Sequence, residues 1–228
     1  MDSTIITWER SPVKAWDFIC QRYAPEMPGL QSDVFQKTIR SVADWFWSAP
    51  ERHQSGRLAL SQARRDIVRM ALERLNINDP QFADKVADAY SADRDQTAAV
   101  LPEALSTLEE LRRRDIRLAL ITNGEADAQR AKVVKFNLAP FFNNILIEGE
   151  FGCGKPDERV FRHTLERLKV KPTDAWMVGD DLDYDIAPCR ALGIYSLWVN
   201  PRGDNPPDSG GVKPDKVIHS ITEIPGMI

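Results

Sequence analysis

The run Val178-Gly179-Asp180-Asp181-Leu182-Asp183-Tyr184-Asp185 concentrates four carboxylates directly after an apolar segment. Crowded at the end of a buried strand, they repel one another unless a hard divalent cation compensates them. Magnesium takes carboxylate oxygens together with waters and substrate phosphate, and so suits such a cluster. Taken alone, the run also fits an acidic, solvated turn with an Asp capping the next helix, and Asp181 and Asp183 suit that plainer role. Upstream, Thr122-Asn123-Gly124 offers a hydroxyl, an amide and backbone N–H groups at the start of a helix, a combination that can hold a phosphate. An ordinary strand-to-helix turn has the same residues. Between the two, Gly152-Cys153-Gly154-Lys155-Pro156 brings one lysine along a flexible approach to a helix that Pro156 is expected to open. Placed well, it neutralises a phosphoryl oxygen and a neighbouring carboxylate; placed badly, it is simply solvated.

These clusters gain meaning from the elements that carry them. Residues 12–92 show apolar positions three or four apart, as in Ile67, Met70, Ala71, Leu72 and Leu75, and breakers at Pro25, Pro28-Gly29, Pro50 and Asn78-Asp79-Pro80 predict roughly four helices. From Leu101 the period changes. Helices are expected over 102–114, 126–136, 157–168 and 185–192, alternating with strands at 116–121, 145–147, 175–178 and 194–199. A Pro- and Gly-rich loop at 201–214 and a short strand at 216–219 follow. Alternation of this kind implies right-handed parallel crossovers, hence an α/β fold with a doubly wound parallel sheet. In such sheets the ligand crevice lies at the carboxyl ends of the strands, where all three polar clusters fall.

Composition narrows the function classes. With 228 residues, 43% of them apolar, the chain has material for an α/β domain plus an insertion. The net charge of -4 is spread without long single-sign runs, which argues against nucleic acid or an anionic membrane as partner. Cys20, Cys153 and Cys189 form no CxxC pair and read as reduced thiols. No apolar run reaches membrane-spanning length, and Asp2, Glu9, Arg10 and Asp17 stand where a signal peptide would be apolar. The expected address is the cytoplasm.

A hydroxyl-bearing turn, then Lys-Pro, then GDxxxxD, each after a successive strand, resembles the second, third and fourth motifs of the haloacid dehalogenase superfamily over residues 101–199. That family's first motif is DxDxT, and Asp2-Ser3-Thr4 matches its second half. The resemblance implies a Rossmann-like core of residues 1–11 and 95–228 with its first strand missing, and a helical cap of residues 12–94. It further implies a magnesium-dependent phosphomonoester hydrolase acting on a small phosphorylated metabolite through an aspartyl-phosphate. Thr122 would bind phosphoryl oxygens, with Asn123 beside it orienting substrate and Lys155 balancing charge. Asp180 would ligate Mg2+, Asp185 would support the metal through water or hold Lys155, and Asp2 would be the general acid and base with its carbonyl on the metal.

The family's nucleophile stands two residues before the acid/base, one position ahead of Met1, so the chain as written is expected not to turn over. Deleting a central strand would leave its neighbours' backbone groups unpaired and open a void. Met1 is therefore expected to be the variable residue of an Asp-Met-Asp-Ser-Thr motif, preceded by about ten residues. Dehalogenases of the superfamily need no metal and lack an acid/base at the position of Asp2, which favours phosphoryl transfer here. A phosphosugar mutase and a non-catalytic relative binding a phosphorylated ligand or a protein remain alternatives. Caps of this family close over the site, so Trp45, Phe46 and Trp47 could line an apolar pocket, or form the cap's own core. His53, His163 and His219 receive no role.

Overall fold

Where the chain sets a capping side chain ahead of a proline, a helix begins. Ser11 accepts the Lys14 N–H at the head of α1 (Pro12–Tyr23), and Asp79 accepts the Phe82 N–H at the head of α5 (Pro80–Thr97). Between them lie α2 (Ser32–Ser48), α3 (Pro50–Leu58) and α4 (Leu60–Arg74). That is one helix more than the apolar spacing suggests, because Ala59 leaves helical geometry and separates α3 from α4. The computed structural model describes residues 1–203 and 211–228, so residues 204–210 of the loop expected at 201–214 lie outside the described residues.

Two compact units emerge: Trp8–Ala98, and Met1–Thr7 together with Ala99–Ile228. The boundary falls within two short strands that pair with each other, β1 (Ile6–Trp8) and β2 (Ala98–Val100). In the helical unit, Phe35, Ile39, Val42, Val68, Ala71 and Val86 are fully buried, with Ile67 and Leu72 almost so. Phe46 and Trp47 meet edge-on at 4.9 Å and pack against this core. Charged side chains hold the rim: Arg65 grips Asp88 with two hydrogen bonds and Arg69 pairs with Asp84.

The α/β unit continues with α6 (Ala104–Arg113), β3 (Ala119–Thr122), α7 (Ala126–Lys135), β4 (Asn144–Ile147), α8 (Glu148–Phe151), α9 (Glu158–Leu168), β5 (Trp176–Gly179), α10 (Ala187–Leu192), β6 (Tyr195–Val199) and β7 (Lys216–Ile218). Strand pairing is parallel, with β3 on β4 and β5 on β6 on β7. The expected sheet is thus present in two pieces: among the described residues no pairing joins β3 to β5.

Between those strands lies a cavity of about 500 Å³, lined by Leu118, Ala119, Leu120 and Ile121 on one side and by Ala175, Trp176, Met177 and Val178 on the other. Met1, Thr4 and Ile5 reach the same space. Ile121, Met177 and Val178 remain only half-buried and Trp176 is exposed, whereas β6 is buried from Ser196 to Val199. The unpaired edge accounts for a second difference. Residues 116–118, expected to be strand, carry no ladder, and Leu118 instead bonds Asn143 through its N–H to the side chain and through its carbonyl to the backbone.

Candidate active site

The carboxyl ends of β3, β4 and β5 carry the polar groups that the sequence singles out. A Cβ at Gly179 would collide with the Asp185 carboxylate, so glycine lets the turn after β5 fold that side chain back beneath the strand end. Asp185 is 3% exposed, and its Oδ1 receives the Lys155 ammonium at 2.5 Å while Oδ2 accepts the Asp181 N–H at 3.2 Å. Of the two roles expected for Asp185, this geometry provides the grip on Lys155. Asp181 caps the following turn, accepting the N–H groups of Asp183 and Tyr184, and Asp183 is exposed.

Asp180 stands at the surface above this pair, exposed by area yet ringed by enough protein that desolvation pushes its carboxyl above the ordinary range. The Thr4 hydroxyl, which donates to Oδ1 at 3.1 Å, pulls the other way. Trp198, in β6, steadies the backbone by donating its indole N–H to the Asp180 carbonyl at 3.0 Å.

Residues 1–6 form a tight turn in which the Met1 carbonyl accepts from Ile5 and Ile6, with Ser3 at φ +56. The turn brings Asp2 to α7, where Lys132 donates to its Oδ2 at 2.7 Å; the other oxygen, Oδ1, is buried with no partner. Sequence periodicity gave no hint of Lys132 or Trp198. Thr122 is buried and its hydroxyl donates to Gln129 of α7 at 3.2 Å. Asn123 is occupied by the main chain of Lys155, accepting its N–H at 2.8 Å and donating to its carbonyl at 2.7 Å. Asp157, rather than Pro156, opens α9 by accepting the Arg159 N–H, and the helix begins at Glu158, one residue later than the expected range.

Among the described residues no three acidic, histidine or cysteine side chains converge as a ready-made metal cage. The oxygen donors of Asp180 and Asp2 are nevertheless of the kind a hard cation takes, with water and phosphate completing its shell, and the buried Asp2 Oδ1 is an acceptor still without a partner. No helix of the described residues is long and apolar enough to cross a membrane.

A family model for haloacid dehalogenase-like hydrolases matches residues 1–193. Among curated proteins, the phosphoserine phosphatase of Thermus thermophilus is 40% identical over 178 residues, which cover 78% of this chain and 65% of that one. The ribulose-1,5-bisphosphate 5-phosphatase of Halopiger xanaduensis is 33% identical, covering 66% and 63%. The chain thus spans somewhat less than two thirds of the length of these relatives. A phosphatase structure from Thermococcus onnurineus superposes with a TM-score of 0.67 at 21% identity, covering 100% of this chain and 94% of that one. The 2-haloacid dehalogenase of Pseudomonas syringae gives 0.63 at 27%, covering 99% and 94%.

Proposed function

The chain belongs to the haloacid dehalogenase-like hydrolases, and on that premise we propose that it is a phosphomonoester hydrolase for a small phosphorylated metabolite, using magnesium and an aspartyl-phosphate intermediate. Similarity to chains named phosphatases supports phosphoryl transfer over dehalogenation. The observation that carries the reading is the buried Lys155–Asp185 pair beneath Asp180. A lysine held largely out of water by its grip on one carboxylate is suited to take a phosphoryl oxygen as a second anionic partner.

In this reading the Thr122 hydroxyl turns from Gln129 to donate to a phosphoryl oxygen, and Asn123 contributes by fixing the main chain of Lys155. Asp180 and the Asp2 carbonyl, supported by Asp185, would hold the magnesium ion. When bound, that ion supplies positive charge to the phosphoryl oxygens. Asp2 exchanges a proton with the leaving alcohol and then with water through Oδ1, while Lys132 keeps Oδ2 fixed.

The nucleophile would come from a strand ahead of Met1. The slot between β3 and β5 supports this: it is bounded by two strand edges, apolar along both walls, and reached by Met1 at one end. A parallel strand ending in Asp would pair both edges and deliver a carboxylate next to Lys155 and Asp180. We assign helical residues 12–94 the part of a cap and the cytoplasm as location.

The test compares this chain with a version extended upstream by its genomic sequence, for magnesium-dependent release of phosphate from an aryl phosphate. We expect activity in the extended form and a loss of several orders of magnitude without the nucleophile. Silence from a folded, magnesium-bound extended form would turn the reading towards a non-catalytic binder of phosphorylated ligands.

A further inference from the structure

Glu148 has no part in the roles above, yet it is 1% exposed and lies where three loops of the α/β unit meet. It is the first residue of α8, directly after β4, and its Oε2 accepts the Gly124 N–H at 2.9 Å. Its neighbour Gly149 donates to the Gly124 carbonyl at 3.0 Å, so Gly124 is held through both its N–H and its carbonyl. The third loop closes on the same carboxylate. A Cβ at Gly154 would fall 2.5 Å from Glu148 Cδ and 2.7 Å from Asn123 Oδ1, and the next residue is Lys155, gripped by Asn123. With the Gly124 N–H taken by Glu148, anion recognition by this turn passes to the Thr122 hydroxyl and to the lysine.

We propose that Glu148 is a positioning residue: its buried carboxylate ties the loops bearing Thr122 and Lys155 together, and so sets the hydroxyl and the ammonium at the separation that a phosphoryl group requires. This rests on the phosphatase reading. A residue acting only as filler would need no acceptor oxygen, whereas here the oxygen that meets Gly124 is the functional atom.

The experiment titrates inorganic phosphate with magnesium into the full 228-residue chain and into Glu148→Gln, Glu148→Ala and Gly154→Ala, while the Gly124 and Lys155 amide resonances and the melting temperature are recorded. Glu148→Ala and Gly154→Ala are expected to shift both resonances and weaken phosphate binding about tenfold or more, and Glu148→Gln, which keeps an acceptor, to stay within about threefold. Unchanged phosphate affinity in Glu148→Ala, with only a lower melting temperature, would overturn the proposal and leave the phosphatase reading intact. If the upstream-extended chain too binds no phosphate while its Gly124 amide still responds to Glu148→Ala, the phosphatase reading fails and the positioning role falls with it.

Discussion

The helical unit and the α/β unit solve the problem of cohesion differently. In the first, large side chains such as Phe35, Ile39 and Ile67 meet with almost no exposure, and most charged groups stay at the rim, with Arg94 buried and donating to the Arg10 carbonyl. In the second, the middle of the sheet is open, and what spans the strand ends is polar: Lys155 to Asp185, Asn123 to Lys155, Glu148 to Gly124. Apolar packing tolerates many substitutions of similar volume, whereas a buried charge pair tolerates few. The unit that carries the chemistry is therefore also the unit whose order depends on individual polar atoms.

The contrast can be broken most sharply by Asp185→Asn, which leaves the buried Lys155 ammonium without its counter-charge and should cost about 3–5 kcal/mol in chemical denaturation. A cost below about 1 kcal/mol would mean that water already reaches the pair.

A matched pair of truncations tests the apolar side. Phe35→Ala in the closed helical core should cost about 3–5 kcal/mol. Met177→Ala, beside the cavity and only half-buried, should cost less than about 1 kcal/mol because few packing partners are lost. Equal costs would show that the slot is closed in solution.

The smallest effect concerns thiols. Burial pushes Cys20, in the helical unit, and Cys189, in the α/β unit, up to about 12, while Cys153 is half-buried and raised less. Ellman's reagent at pH 8 should label one thiol in the folded chain and three after denaturation. Folded values above the unfolded ones also mean that this contribution to stability is complete below the unfolded thiol value. It is lost as pH rises from there towards 12, so the urea midpoint should fall on going from pH 8 to pH 10.

Much of this architecture is legible in the chain. Alternation of strand and helix after Leu101 announces the parallel fold, and placing Thr122, Lys155 and Asp180 after successive strands points to one crevice. What escapes is contact across long separations. Trp198 reads as one more apolar residue of a strand, and nothing local ties its indole to a carbonyl 18 residues earlier. Lys132 lies on the polar side of a helix 130 residues from Asp2, with no spacing rule to join them. Glu148 did leave a signal: a charged residue directly after the apolar residues 145–147 occupies a strand end, where a buried carboxylate has loops on every side to bond. The late start of β3 was beyond reach, since it follows from an edge without a partner rather than from the residues of the strand.

The bond from the Trp198 indole to the Asp180 carbonyl also makes the site optically addressable. Four of the six tryptophans, Trp8, Trp16, Trp45 and Trp47, belong to the helical unit, and Trp176 is exposed. Trp198 alone is both buried and wired to the acidic turn, so the blue edge of the emission spectrum reports on the strand end itself. A cation settling on Asp180 can be followed there without a label.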